Sequence, residues 1–184
     1  MQPMSWNARG AVALLALIAF APAAMAQSQQ PYASLEARPI KALSEQQIAD
    51  LRAGRGMGLA LAAELNGYPG PMHVLEMADA LDLSSQQRAK MQELFAAMKG
   101  EAIALGERLI AQEAELDKAF ANKTITAARL AGSTEAIGAT HSALRQTHLK
   151  YHLSTVEVLT SAQIQRYAEL RGYKEGMQHP HSHR

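Results

Sequence analysis

Residues 148–163 read HLKYHLSTVEVLTSAQ, and they hold the strongest structural signal in the chain. They end a helical pattern that begins near Thr126. Because an α-helix turns by about 100° per residue, a set of mostly apolar side chains in this pattern falls within about 80° of one another around the helix axis. A helix buries the side that carries its apolar residues. We therefore predict that this stripe faces protein and carries three imidazoles inward. Its members are Leu130, Ile137, His141, Leu144, His148, His152 and Leu159.

A second long helix precedes this one. From Leu83 to Phe120 the chain has no proline, and apolar residues recur at steps of three, four or seven. Residues 122–126 interrupt the pattern and end in threonines suited to cap the next helix. Because this connection is short, the two helices should run antiparallel, which predicts an all-α fold built on a long helical hairpin. The apolar stripe is Met91, Phe95, Met98, Ala102, Leu105, Leu109, Leu116 and Phe120.

The segment before the hairpin divides at residue 43. Residues 27–42 are polar and contain two prolines, which predicts a flexible lead-in. Residues 43–71 are expected to form one helix, from Glu45 to Leu65, and then a Pro/Gly turn. Glycines at positions 54, 56 and 58 should weaken or kink that helix, or let another backbone approach it closely.

Residues 72–173 then carry a short helix from Met72 to Leu81, the hairpin, and a final helical segment. That final segment either continues the second long helix or bends away from it, and Gly172 is its expected C-terminal cap. Residues 174–184 are expected to be a disordered tail. The tail contains three histidines able to chelate metal loosely, although a solvated tail is the favoured interpretation. They are His179, His181 and His183.

The first 26 residues have the pattern of a secretory signal peptide. Arg9 supplies a positive start, residues 11–21 an apolar run, and residues 24–26 a small-x-small ending, which predicts cleavage before Gln27. An uncleaved membrane anchor is the alternative, but the run is shorter than the roughly 20 residues that a span needs. We therefore expect an exported protein of the bacterial periplasm.

Composition argues against several function classes. Arg9 is the only charged residue of the signal, so residues 27–184 carry 17 basic and 17 acidic residues and give no reason to expect a nucleic-acid partner. The absence of cysteine excludes disulfides, a thiolate nucleophile and a cysteine zinc site. No nucleophile elbow, phosphate loop or His-Glu-x-x-His motif is present, so catalysis is not expected.

A Leu-Ser/Thr-x-x-Gln motif occurs three times, beginning at Leu43, Leu83 and Leu159. Each copy should open a helix, because the hydroxyl and the glutamine three residues later can form a capping box. Capping alone would explain the motif, but the placement of two copies is more informative. One starts the first long helix and the other closes the hairpin. The motif residues of these two copies are Leu83, Ser84, Gln87, Leu159, Thr160 and Gln163.

This pair of motifs in an exported helical chain resembles the Spy/CpxP family of periplasmic LTxxQ-motif proteins and the related periplasmic heavy-metal sensor and resistance proteins. The resemblance covers residues 72–173 and leaves residues 27–71 outside it. It implies a four-helix hooked hairpin that forms a curved homodimer. A homodimer is also expected because two long amphipathic helices leave an apolar stripe partly uncovered.

The resemblance implies two functions. The first hypothesis is an ATP-independent, chaperone-like envelope-stress protein that binds unfolded or stress-exposed clients. Its apolar contacts would come from the methionine- and leucine-rich faces of the long helices. The alternative is a sensor or resistance protein for copper, nickel, cobalt or zinc, which would act with a membrane-bound signalling partner. The only cofactor that the pattern suggests is a divalent or copper ion.

Two pairs of side chains are candidate metal ligands. His148 and His152 lie one helical turn apart, and His73 and Met77 repeat that spacing with Glu76 beside them. In the metal sensors that the chain resembles, paired ligands precede the first and the last motif. Those sensors also take a carboxylate from the long helix, where this chain has Phe95, so Glu76 is the candidate substitute. The set suits copper, nickel or cobalt better than zinc.

Structural roles are the favoured interpretation of these residues, with metal binding as the alternative. A neutral histidine on an apolar stripe is often a packed, hydrogen-bonded residue, and methionine commonly fills gaps in a core. His141 is expected to be structural, since it lies two turns from His148.

Overall fold

The structure is a computed structural model that describes residues 32–173. By its internal contacts the chain separates into two units, Met1–Ala33 and Ser34–Arg184, and the α-helices of the described residues lie in the second. The predicted signal peptide at residues 1–26 and the predicted histidine-containing tail at residues 174–184 lie outside the described residues.

The described residues are helical, with no strand, and the predicted all-α hairpin is confirmed. The two longest helices pack against each other, and residues 122–126 connect them. Within residues 32–173, no helix combines the length and apolar character needed to cross a membrane. After a 3-10 turn at Ala33–Leu35, the helices are α1 Glu45–Arg52, α2 Leu61–Glu64, α3 Pro71–Glu76, α4 Ser85–Ala121, α5 Ala127–Val158 and α6 Ser161–Leu170.

The first helix ends at Arg52, so the prediction of one helix reaching Leu65 is wrong. Gly54 has a φ of 66°, a left-handed conformation that glycine adopts without steric cost and that ends the helix. A Cβ at Gly54 would also lie 3.0 Å from the carbonyl oxygen of Lys99 on α4. The expected close backbone approach therefore holds at this position, and the expected weakening of the helix is a complete break.

Two apolar clusters hold the flanking segments to the hairpin. The first uses Ile40 and Leu43, so the end of the segment expected to be a flexible lead-in is packed against α4 and α5. The second cluster joins α3 and α6 to the end of the hairpin that lies away from the connection between α4 and α5. The first cluster is Ile40, Leu43, Leu51, Ala102, Leu109, Ile110 and Leu144. The second cluster is Val74, Ala78, Leu81, Leu83, Met91, Leu159 and Tyr167.

The predicted apolar stripes are buried only where flanking segments cover them. Phe120 and Leu130, near the connection between α4 and α5, are 52% and 39% exposed. His141 is also exposed, so its expected place in a buried stripe is corrected. Phe120 and Leu130 belong to neither apolar cluster, whereas His141 lies between Ile137 and Leu144, which pack in or against the first cluster, and is exposed at the edge of the stripe. Helical periodicity places residues on one face, but it does not state what covers that face.

Gly106 marks the point where α1 rests on α4. A Cβ added there would lie 2.5 Å from the carbonyl oxygen of Leu51, a backbone atom that cannot swing aside. We expect Gly106→Ala to lower the free energy of unfolding by about 1–3 kcal/mol in urea denaturation, because overpacking pushes α1 away from α4. Gly100→Ala is the matched control, since a Cβ there meets nothing within 4 Å. The control should raise stability by up to about 1 kcal/mol through helix propensity.

Candidate functional site

A cavity of about 480 Å³ lies between the two apolar clusters. On α4 it is lined by Phe95 and Met98, which fall between Met91 of the second cluster and Ala102 of the first. Its other walls come from α5, α3 and residues 53–64. Three imidazoles and three thioethers line it, those of His73, His148, His152, Met57, Met72 and Met98.

The structure therefore brings three of the five candidate metal ligands to one cavity and places the other two elsewhere. Met77 packs against the second apolar cluster. Glu76 has a side chain that is 56% exposed and does not line the cavity. Within residues 32–173, no three His, Asp or Glu side chains form a group placed to hold a metal ion.

His152 is held in one tautomer by the backbone. Its Nδ1 lies 2.6 Å from the carbonyl oxygen of Tyr68, which can only accept a hydrogen bond, so Nδ1 donates and the neutral ring keeps its lone pair on Nε2. Histidines that bind metal are commonly oriented by such a bond from the other ring nitrogen. Gly70 packs against the ring of His152, and only glycine fits at this position, because a Cβ there would lie 2.8 Å from His152 Nε2.

His73 is oriented in the same way by a side chain. Its Nδ1 lies 2.9 Å from Glu76 Oε2, so Nδ1–H donates to the carboxylate and Nε2 is left as the acceptor of the neutral ring. Glu76 therefore orients an imidazole in this structure, whereas the sequence suggested it as a direct metal ligand.

His148 is the buried imidazole without a hydrogen-bonding partner. It is 3% exposed, and among the described residues nothing bonds to its buried Nε2. Gly56 packs against the ring, since a Cβ there would lie 3.6 Å from Nδ1. Burial lowers the pKa of His148, and the charge of His152 lowers it further. His148 thus offers a neutral ring with an unpaired nitrogen, which is costly unless something binds it.

The stability of the metal-free protein should depend on pH through His148. Because the folded-state pKa is lowered, the unfolded chain takes up more protons below its own pKa of about 6.5. We expect the free energy of unfolding, measured with a chelator present, to be level above about pH 7.5 and to fall below about pH 6.5. His148→Leu should flatten this fall. His141→Leu, at an exposed position of the same helix, controls for removing an imidazole as such.

Sequence reasoning missed Glu64, a buried carboxylate at the end of α2 that also lines the cavity. Its oxygens accept hydrogen bonds from the hydroxyls of Tyr167 and Tyr173 and from the amide of Gly70. Arg171 Nε lies 3.6 Å from Glu64 Oε1 and forms an ion pair with it. Burial and then the hydrogen bond to Glu64 raise the pKa of Tyr167, which keeps it a donor. The sequence signal was a lone glutamate within an Ala/Leu-rich segment.

The two motif glutamines bond to each other across the hairpin. All three predicted capping boxes are confirmed, at Ser44, Ser84 and Thr160. In addition, Gln87 Nε2 donates to Gln163 Oε1 at 2.9 Å, and Gln163 Nε2 donates to Gln87 Oε1 at 3.1 Å. The two amides also reach the carbonyls of Val158 and Leu81. The motif pair therefore joins the start of α4 to the start of α6.

Fold and site together define an all-helical hairpin protein in which paired motif glutamines join the starts of α4 and α6, and histidines and methionines line an open cavity. The chain belongs to the LTXXQ motif family, whose profile matches residues 70–171, just over half of the chain. Proteins of this family are generally periplasmic and are not known as enzymes. Neither the curated proteins nor the solved structures contain a significant match to the chain. The cavity walls from residues 53–64 lie outside the family match.

Proposed function

We propose that this protein is an exported, metal-responsive member of the LTXXQ family that binds a transition-metal ion through His148 and His152, with His73 as the third imidazole. The observation that carries this proposal is that His148, whose buried Nε2 has no hydrogen-bonding partner among the described residues, lines one cavity together with His73 and His152. The likeness to periplasmic sensor and resistance proteins supports the same function. Export would follow from cleavage of residues 1–26.

The chemistry of the three rings supports binding of a metal ion. Neutral imidazole nitrogen is a good ligand for copper, nickel, cobalt and zinc. Two of the rings already donate from Nδ1 to oxygen, at Tyr68 and Glu76, which leaves Nε2 unprotonated. Bringing the three rings onto one ion requires side chains around the cavity to move. That movement is the conformational change a sensor needs, since an ion that binds one state better shifts the population toward it.

Metal titration tests this function directly. The full chain should carry His179→Ala, His181→Ala and His183→Ala, so that the tail cannot contribute ligands. Isothermal titration with Cu²⁺, Ni²⁺, Co²⁺ and Zn²⁺, and with Ag⁺ in chloride-free buffer, should show one ion bound per chain for at least one of them. Absence of binding by all five ions would refute the proposal.

Client binding is the second candidate function, and one surface favours it. Five large apolar side chains from residues 57–72 are between 39% and 54% exposed, and three of them, Met57, Leu61 and Met72, line the cavity. The long helices expose fewer such groups, so the client surface would lie on this segment more than on the faces of α4 and α5. Unfolded clients with apolar segments are the fitting partner. The five residues are Met57, Leu61, Leu65, Tyr68 and Met72.

An aggregation assay with an unrelated client tests this second function. We expect stoichiometric protein to suppress aggregation, and Leu61→Gln with Leu65→Gln to lower that suppression severalfold by making the surface polar. Leu153→Gln is the matched control, because Leu153 is as exposed as Leu65 but lies on α5. Equal loss in both variants would argue against a client surface at residues 57–72.

The homodimer remains part of the proposal. The exposed Phe120 and Leu130, near the connection between α4 and α5, are candidate contacts. Sedimentation equilibrium at micromolar concentration should give twice the chain mass, and a monomeric mass would contradict the dimer.

A further inference from the structure

We infer that the preferred ion of this cavity is a soft monovalent one, cuprous copper, held by the thioethers of Met72 and Met98 together with the imidazole of His148. This inference rests on the proposed metal function and names the ion class. It replaces Met77 and Glu76 of the sequence-based ligand set with two methionines that line the cavity.

The thioethers come from different parts of the fold. Met98 lies on α4 and is 7% exposed, Met72 lies on α3, and Met57 lies in the loop after α1. Thioether sulfur is a soft ligand that selects Cu(I) over harder divalent ions. Methionine is also unbranched and has three rotatable bonds, so partly exposed Met72 can turn inward onto an ion. The cavity therefore offers soft ligands from two sides.

Oxygen ligands are scarce at the same place. Glu64 is the one carboxylate on the cavity wall, and both of its oxygens already accept hydrogen bonds, from Tyr167, Tyr173 and Gly70. Glu76 points its carboxylate to His73 Nδ1. The groups left to meet an ion are thus nitrogen and sulfur.

Charge favours a monovalent ion as well. The wall is largely apolar, and burying an ion in such surroundings costs more as its charge rises. Imidazole and thioether are neutral and do not offset that charge. The two cationic side chains on the wall, Lys99 and Arg55, outnumber its one carboxylate, Glu64, and the net repulsion is twice as strong for a dication as for a monocation. Arg55 is partly neutralised by Asp50, whose Oδ1 lies 2.6 Å away.

Silver(I) provides a redox-inert probe for this site. The full chain with the three tail histidines replaced by alanine is titrated with silver nitrate in chloride-free buffer, and with Cu(I) under anaerobic conditions against a competing chelator. We expect Met72→Leu with Met98→Leu to weaken Ag⁺ and Cu(I) binding by at least about 100-fold. Binding of Ni²⁺ or Zn²⁺ through the imidazoles should change by less than about threefold. Met77→Leu is the control and should leave all affinities unchanged.

The outcomes separate this inference from the function on which it rests. Binding of divalent ions without Ag⁺ or Cu(I) overturns the inference and keeps the metal function, whereas no binding of any ion refutes both. Unchanged Ag⁺ affinity in the double variant also overturns it. Leucine conserves the volume of methionine, so the variant should fold. X-ray absorption of the Cu(I)-loaded unsubstituted site gives an independent reading: copper–sulfur scattering is expected, and nitrogen scattering alone contradicts the inference.

Discussion

Replacing both His148 and His152 with alanine is expected to weaken transition-metal binding by at least about 100-fold, which corresponds to roughly 2.7 kcal/mol. The two rings lie one turn apart on α5 and are both buried at the cavity wall, so the double variant leaves His73 as the one described histidine that lines the cavity. Isothermal titration or competition with a chelator measures the change, in the full chain with the tail histidines replaced by alanine.

Two single variants sharpen this result. His141→Ala removes an exposed imidazole from the same helix and should leave the affinity unchanged. His73→Ala should lower it by about tenfold, since His73 is the more exposed ligand on a short helix. Wild-type affinity in the double variant would place the metal site outside this cavity.

Gln163→Ala is expected to lower the free energy of unfolding by about 3 kcal/mol. The substitution removes the capping bond to the amide of Thr160, and it leaves the side chain of Gln87 and the carbonyl of Leu81 short of a partner in a partly buried position. A lost cap costs about 1 kcal/mol, and each polar group left unsatisfied adds about 1 kcal/mol or more. Urea denaturation followed by circular dichroism measures the loss.

Gln47→Ala is the matched control for this prediction. Gln47 closes the same kind of capping box at the start of α1, with Ser44, but it makes none of the bonds across the hairpin. We expect a loss of only about 1 kcal/mol. Equal losses in the two variants would mean that the glutamine pair contributes nothing beyond helix capping.

Local patterns in the sequence predicted the hairpin well. The start of α4 at Ser85 and of α6 at Ser161 follows from their capping boxes, which depend on atoms within four residues. The break near residues 122–126 follows from the end of the apolar periodicity. The break after Arg52 was not predicted, because the cluster of glycines indicated a weakened or kinked helix, or a close backbone approach, and not the end of the helix. The left-handed conformation of Gly54 and its close approach to α4 are visible only in the structure.

The candidate site was only partly predictable. Helical spacing correctly paired His148 with His152, since residues four apart share a face. The same rule paired His73 with Met77, yet Met77 packs in the second apolar cluster and Met72 lines the cavity. The helix α3 ends at Glu76, so helical spacing no longer predicts that Met77 shares a face with His73. Glu64 has partners more than a hundred residues away, at Tyr167 and Tyr173, which no local pattern reveals.

The sequence by itself determined the two long helices, where they begin, and that two motif copies stand at the base of a hairpin. These features depend on hydrogen bonds and apolar spacing within a few residues of chain. Only the tertiary structure decided which faces are covered, which methionines meet the histidines, and how Glu64 ties the first segments to the last helix. Such contacts depend on how distant segments pack, and packing is set by the shape of the whole core.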